Sequence, residues 1–318
     1  MTSKTDLCNV HPVKPARSAY RSNSLTMGWE VIVIFVLGLF ALACIIPFIL
    51  VIVVSFTDEL TLAQNGYSFF PTKTSLAAYQ FIFGSSDQLI QSYVVSIFIS
   101  VVGTAIHLLI TALYAYALYR KDFKFRTFFT FFAFFTMLFG GGLVPGYLVM
   151  TRVLLLKDTI WALIVPLLVS PYSFIILRTF FTSAIPDSLL ESAFIDGSGE
   201  FRTLFVIALP LALPGLATIA LFSVLGYWNE WFNALLYVTN PMLFPIQYML
   251  MKIENNMNFL IENARSLSST QASEMLRNLP RVTARMAIVV CVVLPIAIAY
   301  PFFQRFFIAG LTVGAIKG

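Results

Sequence analysis

The strongest constraint on this chain is its alternation of long, nearly uncharged apolar runs with short polar joints. Six runs reach the roughly 20 residues that a helix needs to cross a hydrocarbon core about 30 Å thick. They cover about 29–55, 92–119, 127–150, 159–180, 207–237 and 287–303. Lipid offers the backbone no hydrogen-bond partners, so each run must close its own bonds as a helix. The fold class predicted is an all-α polytopic membrane protein with six transmembrane helices. Composition agrees, since 59% of the 318 residues are hydrophobic and 11% are charged, against about 25% charged in soluble domains. Two soluble domains, the organisation that length alone would suggest, are excluded.

The predicted division is an N-terminal tail over 1–28, a transmembrane domain over 29–304 and a C-terminal tail over 305–318. The first apolar run is longer than a signal-peptide core of about 7–15 residues and has no small-residue cleavage site behind it, so the tail is expected to stay attached. Lys4, Lys14, Arg17 and Arg21 lie in that tail, and Arg120, Lys121, Lys124 and Arg126 in the hairpin between spans two and three. An even number of spans puts both groups on one side, which the bias of basic residues makes the cytoplasm. Both termini are then cytoplasmic and the loop over 240–285 is external. Lys252, Arg265, Arg277, Arg281 and Arg285 in that loop run against the rule, which weakens for long loops. The net charge of +5 follows from this bias and gives no reason to invoke nucleic acid.

Cys8, Cys44 and Cys291 show no CxxC spacing, so neither a disulfide framework nor a metal site is expected. His107 has no second ligand at i+3 or i+4 and is read as a satisfied residue between helices. No G-x-x-x-x-G-K-[ST] loop occurs, so no nucleotide site is expected in this chain. Gly140, Gly141, Gly142 and Pro145 interrupt the third span, and Pro210, Pro214, Gly215 and Gly226 the fifth. Two readings stand for such breaks: backbone lining a cavity, or close packing through small residues. Phe128, Phe129, Phe131, Phe132, Phe134 and Phe135 encircle their helix and indicate no cofactor.

Glu230 is an ionisable residue inside a span, which is costly and therefore worth a functional hypothesis. With Trp228, Asn229 and Trp231 it offers carboxylate, amide and indole groups suited to a sugar's hydroxyls and apolar face. The alternative is a purely structural role between helices.

The segment over 183–206, between spans four and five, is the most informative. Pro186 and Asp187 mark a helix start, and Leu190, Ala193, Phe194 and Gly197 fall at i, i+3, i+4 and i+7. Gly197 and Gly199 should end this amphipathic helix, and a second should lead through Phe205 and Ile207 to Leu209 and Pro210. Asp187, Glu191, Asp196 and Glu200 stand against Arg202, and an acidic surface suits a protein partner better than an anionic membrane.

Glu191-Ser192-Ala193, three residues, Gly197, nine residues, Ile207, one residue and Leu209-Pro210 resemble the EAA signature of binding-protein-dependent ABC importer permeases. The one departure is Ser192 for alanine. Phe139 to Pro145 with Tyr147, Trp161-Ala162 with Pro166, Trp228 to Trp231 and the end Gly310 to Gly318 are similar to the maltose-type sugar permeases, in particular their lipoprotein-linked oligosaccharide group. The resemblance runs from about Trp29 to Gly318. It implies the type I importer fold in a bacterial plasma membrane, a second homologous permease, two cytosolic ATPase subunits that carry ATP and Mg, and an extracellular sugar-binding lipoprotein. It further implies carbohydrate, most specifically oligosaccharide, as substrate.

By the same resemblance Glu191, Ser192, Ala193, Gly197, Ile207, Leu209 and Pro210 couple to the ATPases, with Ala193 and Gly197 leaving room for close approach. Gly197 as a mere helix terminator is compatible with that. Gly310, Leu311, Thr312, Gly314, Lys317 and Gly318 would enter the ATPase interface, although composition alone predicts a disordered tail. The loop over 240–285 resembles one reaching toward the binding lipoprotein, and its charges Glu254, Glu262, Glu274, Arg265, Arg277 and Arg281 fit either a polar interface or a solvated face. An ion-coupled transporter is the alternative, but it would need several intramembrane carboxylates or an inverted repeat, whereas Glu230 stands nearly alone. A membrane hydrolase would need converging nucleophile, base or metal ligands, and the spans offer none.

Overall fold

The computed structural model describes residues 27–84, 86–266 and 280–315. The tail arginines and lysines, Cys8, Glu274, Arg277, Lys317 and Gly318 lie outside them. The chain divides after Ile49 into two units. In the first, α1 (Met27–Ser55) starts, continues through Pro47 and exposes its apolar side chains as far as Ile49.

In the second unit, α2 (Glu59–Asn65) and α3 (Ala77–Phe83) are short helices that lead into α4 (Ser86–Tyr119). Then come α5 (Arg126–Leu138), α6 (Leu143–Leu148) with a π turn to Val153, and α7 (Trp161–Ile164) with a 3-10 turn to Leu167. They are followed by α8 (Pro171–Ala184), α9 (Asp187–Ile195) and α10 (Glu200–Arg202), which passes through a π turn into α11 (Leu209–Leu211). The chain ends with α12 (Leu213–Trp228), α13 (Phe232–Tyr237), α14 (Ile246–Ser266) and α15 (Arg281–Ala315). Among the described residues three continuous helices are long and apolar enough to cross a membrane, and counting three bent pairs as one span each gives six.

The bends are 113° between α5 and α6, 52° between α7 and α8, and 83° between α10–α11 and α12. The first and third are the breaks expected from their glycines and prolines. The second corrects the expectation of an uninterrupted fourth span: Pro171 lacks an N–H and holds Ser170 extended, at φ −123° and ψ 107°. The hydroxyl of Ser170 caps α8 by accepting from the Ser173 amide.

α4 is built inside out. Its buried stripe carries Ser92, Ser96, Ser100, Thr104, His107 and Thr111, while Ile90, Val94, Ile97, Phe98 and Val101 are exposed. A water-facing helix would show the reverse, and small polar residues inside let helices in lipid approach closely. Gly103 is the closest approach, because a Cβ there would lie 2.5 Å from the Tyr227 ring of α12. That ring passes α4 to donate its hydroxyl to the Ile164 carbonyl, 3.0 Å away. Gly215 packs likewise against the Phe180 ring, at 2.5 Å, so packing rather than a cavity explains this glycine of the fifth span. His107 meets the Leu168 carbonyl at 2.8 Å and the Ser173 hydroxyl at 3.2 Å, which makes it the satisfied interhelical residue expected.

At 34 residues α4 is about 50 Å long, well beyond a hydrocarbon core of about 30 Å. The overhang organises one end of the molecule. The Ser96 hydroxyl accepts from the Ile246 amide, 2.8 Å away, and starts α14. Tyr248, Met249, Leu250 and Met257 of α14 are buried, and Arg285 of α15 pairs with Glu254 at 3.3 Å. The expectation of a polar loop over 240–285 is thus corrected for its described part, where half is an amphipathic helix in the core. Glu59 accepts from the Val282 and Thr283 amides, both at 3.0 Å, and caps α15.

α15 also corrects the reading of residues 310–315 as disordered from composition. Its helix runs on through Gly310, Leu311, Thr312 and Gly314 to Ala315. Extending an existing helix needs no new nucleus, a saving that composition ignores.

Candidate functional site

At the opposite end of α4, the basic hairpin and the segment over 183–206 meet. α8 ends where Ile185 turns extended and buried, and Tyr119 of α4 donates its hydroxyl to the Ile185 carbonyl at 3.1 Å. α9 then runs over the nine residues Asp187–Ile195. Leu190 and Ala193 are buried, and Leu190 joins one cluster with Tyr116, Tyr119, Phe181 and Leu204, against which Phe194 packs. The amphipathic stripe expected from the sequence therefore faces the chain's own core.

The end of α9 is fixed by backbone geometry. Gly197 has φ +79°, the Ser198 amide donates to Ala193 (2.9 Å) and the Gly197 amide to Phe194 (3.0 Å). These two bonds form a Schellman motif, and the left-handed residue at its corner favours glycine. A Cβ on Gly197 would meet nothing within 4 Å, so the requirement within this chain is the turn and not space. Ser198 and Thr203 hydroxyls bond at 3.0 Å and turn the chain into α10.

The hairpin locks this segment electrostatically. Arg120 lies 2.7 Å from Asp122 and 3.2 Å from Glu200, and its guanidinium covers the Phe194 ring at 4.5 Å. Tyr116 donates to Glu200 at 2.8 Å, and Lys121 pairs with Asp187. The Asp187 bond is the main reason the exposed Lys121 ammonium is held above its ordinary pKa. Two of the four acidic residues that looked available to a partner are therefore engaged inside the chain. The opposite charges of hairpin and segment were visible in the sequence, but the basic residues there indicated only orientation.

What remains on the outer face is a mixed surface. Glu191 and Ser192 are exposed, Ile195 is 85% exposed and Phe201 72%. Ile195 and Phe201 were missed by sequence reasoning, since they lie off the stripe; their exposure was signalled only by apolar side chains on the polar side. Ala193 is buried, so the close approach it permits is to its own chain. Ile207 and Leu209 are half-buried and Pro210 exposed, all at the π turn and α11 that lead into the bent fifth span.

The second candidate group does not share one surface. Trp228 is buried and its indole donates to the Val292 carbonyl at 3.2 Å. Glu230 is buried and accepts from the Asn233 amide at 2.6 Å, capping α13. Asn229 and Trp231 are exposed, and Asn229 accepts from Gln247 at 3.1 Å. Beside them Asp158, at φ +56°, accepts from the Thr239 hydroxyl at 2.7 Å and from the Thr239 and Asn240 amides. The Thr239 bonds hold its carboxyl below the usual range. Among the described residues no cluster of His, Cys, Asp and Glu is arranged to hold a metal.

The sequence profile described as binding-protein-dependent transport system inner membrane component matches residues 109–313, which enclose α9 and both of its glycine breaks. The chain belongs to this family. Relatives extend the match over most of the chain. The polygalacturonan/rhamnogalacturonan transport system permease protein YtcP of Bacillus subtilis is 39% identical over 88% of this chain and 95% of its own. Protein LplC of the same organism is 38% identical over 91% of this chain and 95% of its own. A solved bacterial ABC transporter that imports the acidic polysaccharide alginate superimposes with a TM-score of 0.72. It shares 27% identity over 88% of this chain and 96% of that one. The type I importer permease fold expected from the sequence is thus the fold observed, and permeases of this family are non-catalytic membrane subunits.

Proposed function

We propose that this chain is one permease subunit of an ATP-driven importer of oligosaccharides in a bacterial plasma membrane, with both termini in the cytoplasm. Near-complete coverage of sugar-transport permeases supports the substrate class. Of the relatives named above, one serves polygalacturonan/rhamnogalacturonan transport and one the import of the acidic polysaccharide alginate, so acidic oligosaccharides come first in any screen. A second homologous permease completes the pathway, two cytosolic ATPases bind ATP and Mg, and an extracellular lipoprotein delivers the sugar.

The observation that carries the coupling role is α9 itself: a short helix rigidly clamped from beneath, with Glu191, Ser192 and Ile195 left uncovered. A clamped helix transmits displacement, whereas a loose one would absorb it. Glu191 offers a charge-assisted bond to an ATPase cleft and Ile195 an apolar contact. Gly197 holds the turn that presents them, while Ala193, Ile207, Leu209 and Pro210 act from behind the contact surface. By the same reading the tail, with Gly310, Leu311, Thr312, Gly314, Lys317 and Gly318, enters the ATPase interface; its part as far as Ala315 is the end of α15.

Asn229 and Trp231 are the members of the second group accessible to sugar, with Trp228 and Glu230 supporting them. No observation favours an ion-coupled mechanism, since Glu230 is engaged as a cap. Affinity purification of the full chain from its host membrane tests the proposal. ATPase and second permease should copurify, and I195D with E191R should lose the ATPase alone. Deleting residues 311–318 should lower substrate-stimulated ATP hydrolysis; unchanged hydrolysis would remove the tail from the interface.

A further inference from the structure

At the hairpin end of the bundle, Arg120 and Lys121 have carboxylate partners. Arg126 and Arg178 differ: among the described residues neither side chain has an ion pair or hydrogen-bond partner, although both are half-buried. Tyr114 fixes where they stand. Its hydroxyl donates to the Phe129 carbonyl of α5 at 2.9 Å, and its ring stacks on Phe174 of α8 with centroids 4.3 Å apart. Phe129 and Phe174 are thus level across the bundle. Arg126 lies three residues before the one and Arg178 four residues after the other, which is one helical turn toward the hairpin end in each case. The two charges repel one another. The first turn of α5 holds no acidic residue and no side-chain cap that would relieve them.

Half-buried guanidinium groups held together without an anion are unfavourable unless a counter-ion arrives from outside the chain. The surroundings indicate its source. Phe125 and Phe128, beside Arg126, are 63% and 61% exposed, a skin suited to acyl chains and not to water. Arg178 lies six residues before the end of α8, about 9 Å along its axis, and so close to the hairpin end of the bundle. We propose that Arg126 and Arg178 form a binding site for the phosphate of an anionic phospholipid in the cytoplasmic leaflet, held by both guanidinium groups while the acyl chains lie along the phenylalanines of α5. Planar guanidinium groups match phosphate oxygens in pairs, which a single lysine does not. The leaflet, though not the site, rests on the orientation proposed above.

The test is lipid retention by the full chain, purified in mild detergent from its host membrane with its bound subunits and exchanged into mixed phosphatidylglycerol and phosphatidylcholine. Wild type should retain phosphatidylglycerol in preference to phosphatidylcholine. R178Q should reduce that preference about fivefold and R126Q with R178Q by the square of that factor, as expected for the loss of one and two surface charges. R178K, which keeps the charge and loses the paired geometry, should fall between wild type and R178Q. R126Q alone gives the same reading if the double variant fails to fold. Equal retention by the variants overturns the proposal, as does displacement of the lipid by millimolar inorganic phosphate, which would assign the pair to a solution anion. Labelling of K124C by an impermeant maleimide reports orientation separately: label from outside would move the site to the other leaflet and refute the orientation, with the lipid result unaffected.

Discussion

At the scale of single residues, the buried carboxylate of Glu230 caps α13 by accepting from the Asn233 backbone amide. Glu230 was legible as unusual, because a carboxylate within an apolar span stands out, but its role was not, because capping depends on a bend that periodicity does not locate. Its carboxylate receives the Asn233 amide, and a glutamine oxygen can do the same. E230Q should therefore transport nearly normally, while E230A should lower stability by about 1–2 kcal/mol, read as a lower melting temperature of the purified complex. Strong loss of sugar binding by E230Q at unchanged melting temperature would instead put the carboxylate on the substrate. Asp158 gives a pH signature. Its folded-state pKa is depressed, so its contribution is present above the ordinary carboxylate value of about 4 and is lost as pH falls through the lower, folded value. Wild type should lose thermal stability over that acidic window, and D158N should lack this component.

At the scale of elements, the six spans were readable from run length, and the third and fifth breaks from their glycines and prolines. The fourth break was not, because Pro166 and Pro171 sit in an uncharged run, 159–177, that is almost long enough to cross as one helix. The half-buried helix α14 was also hidden: its charges Glu254 and Glu262 look like loop residues until the overhanging end of α4 supplies a face to pack on. Glycines could be counted but not ranked. G103A and G215A bring a Cβ within 2.5 Å of a ring, and the Tyr227 ring is further tied to Ile164. Each should cost about 1–3 kcal/mol. G226A, with open space, should be neutral or slightly stabilising in the same melting assay. Equal effects at all three would mean that α4, α8 and α12 do not pack as closely as described.

At the scale of the whole molecule, the second unit carries α2, α3 and α14 at one end of its broken spans and the clamped helix α9 at the other. The segment around α9 was the most legible feature, since motif spacing and amphipathic period coincide. The clamp was not, because Arg120 with Glu200 and Lys121 with Asp187 are 80 and 66 residues apart in sequence. The account's central claim is that ATP-driven motion of partner subunits reaches the pathway through α9. The most direct measurement is uptake of a labelled acidic oligosaccharide by membrane vesicles holding the complete complex and its binding protein. Uptake should require ATP, persist when ion gradients are collapsed, and fall at least about tenfold with I195D, which places a charge in an apolar contact. ATP-independent uptake by this chain alone, or uptake undiminished by I195D together with E191R, would contradict it.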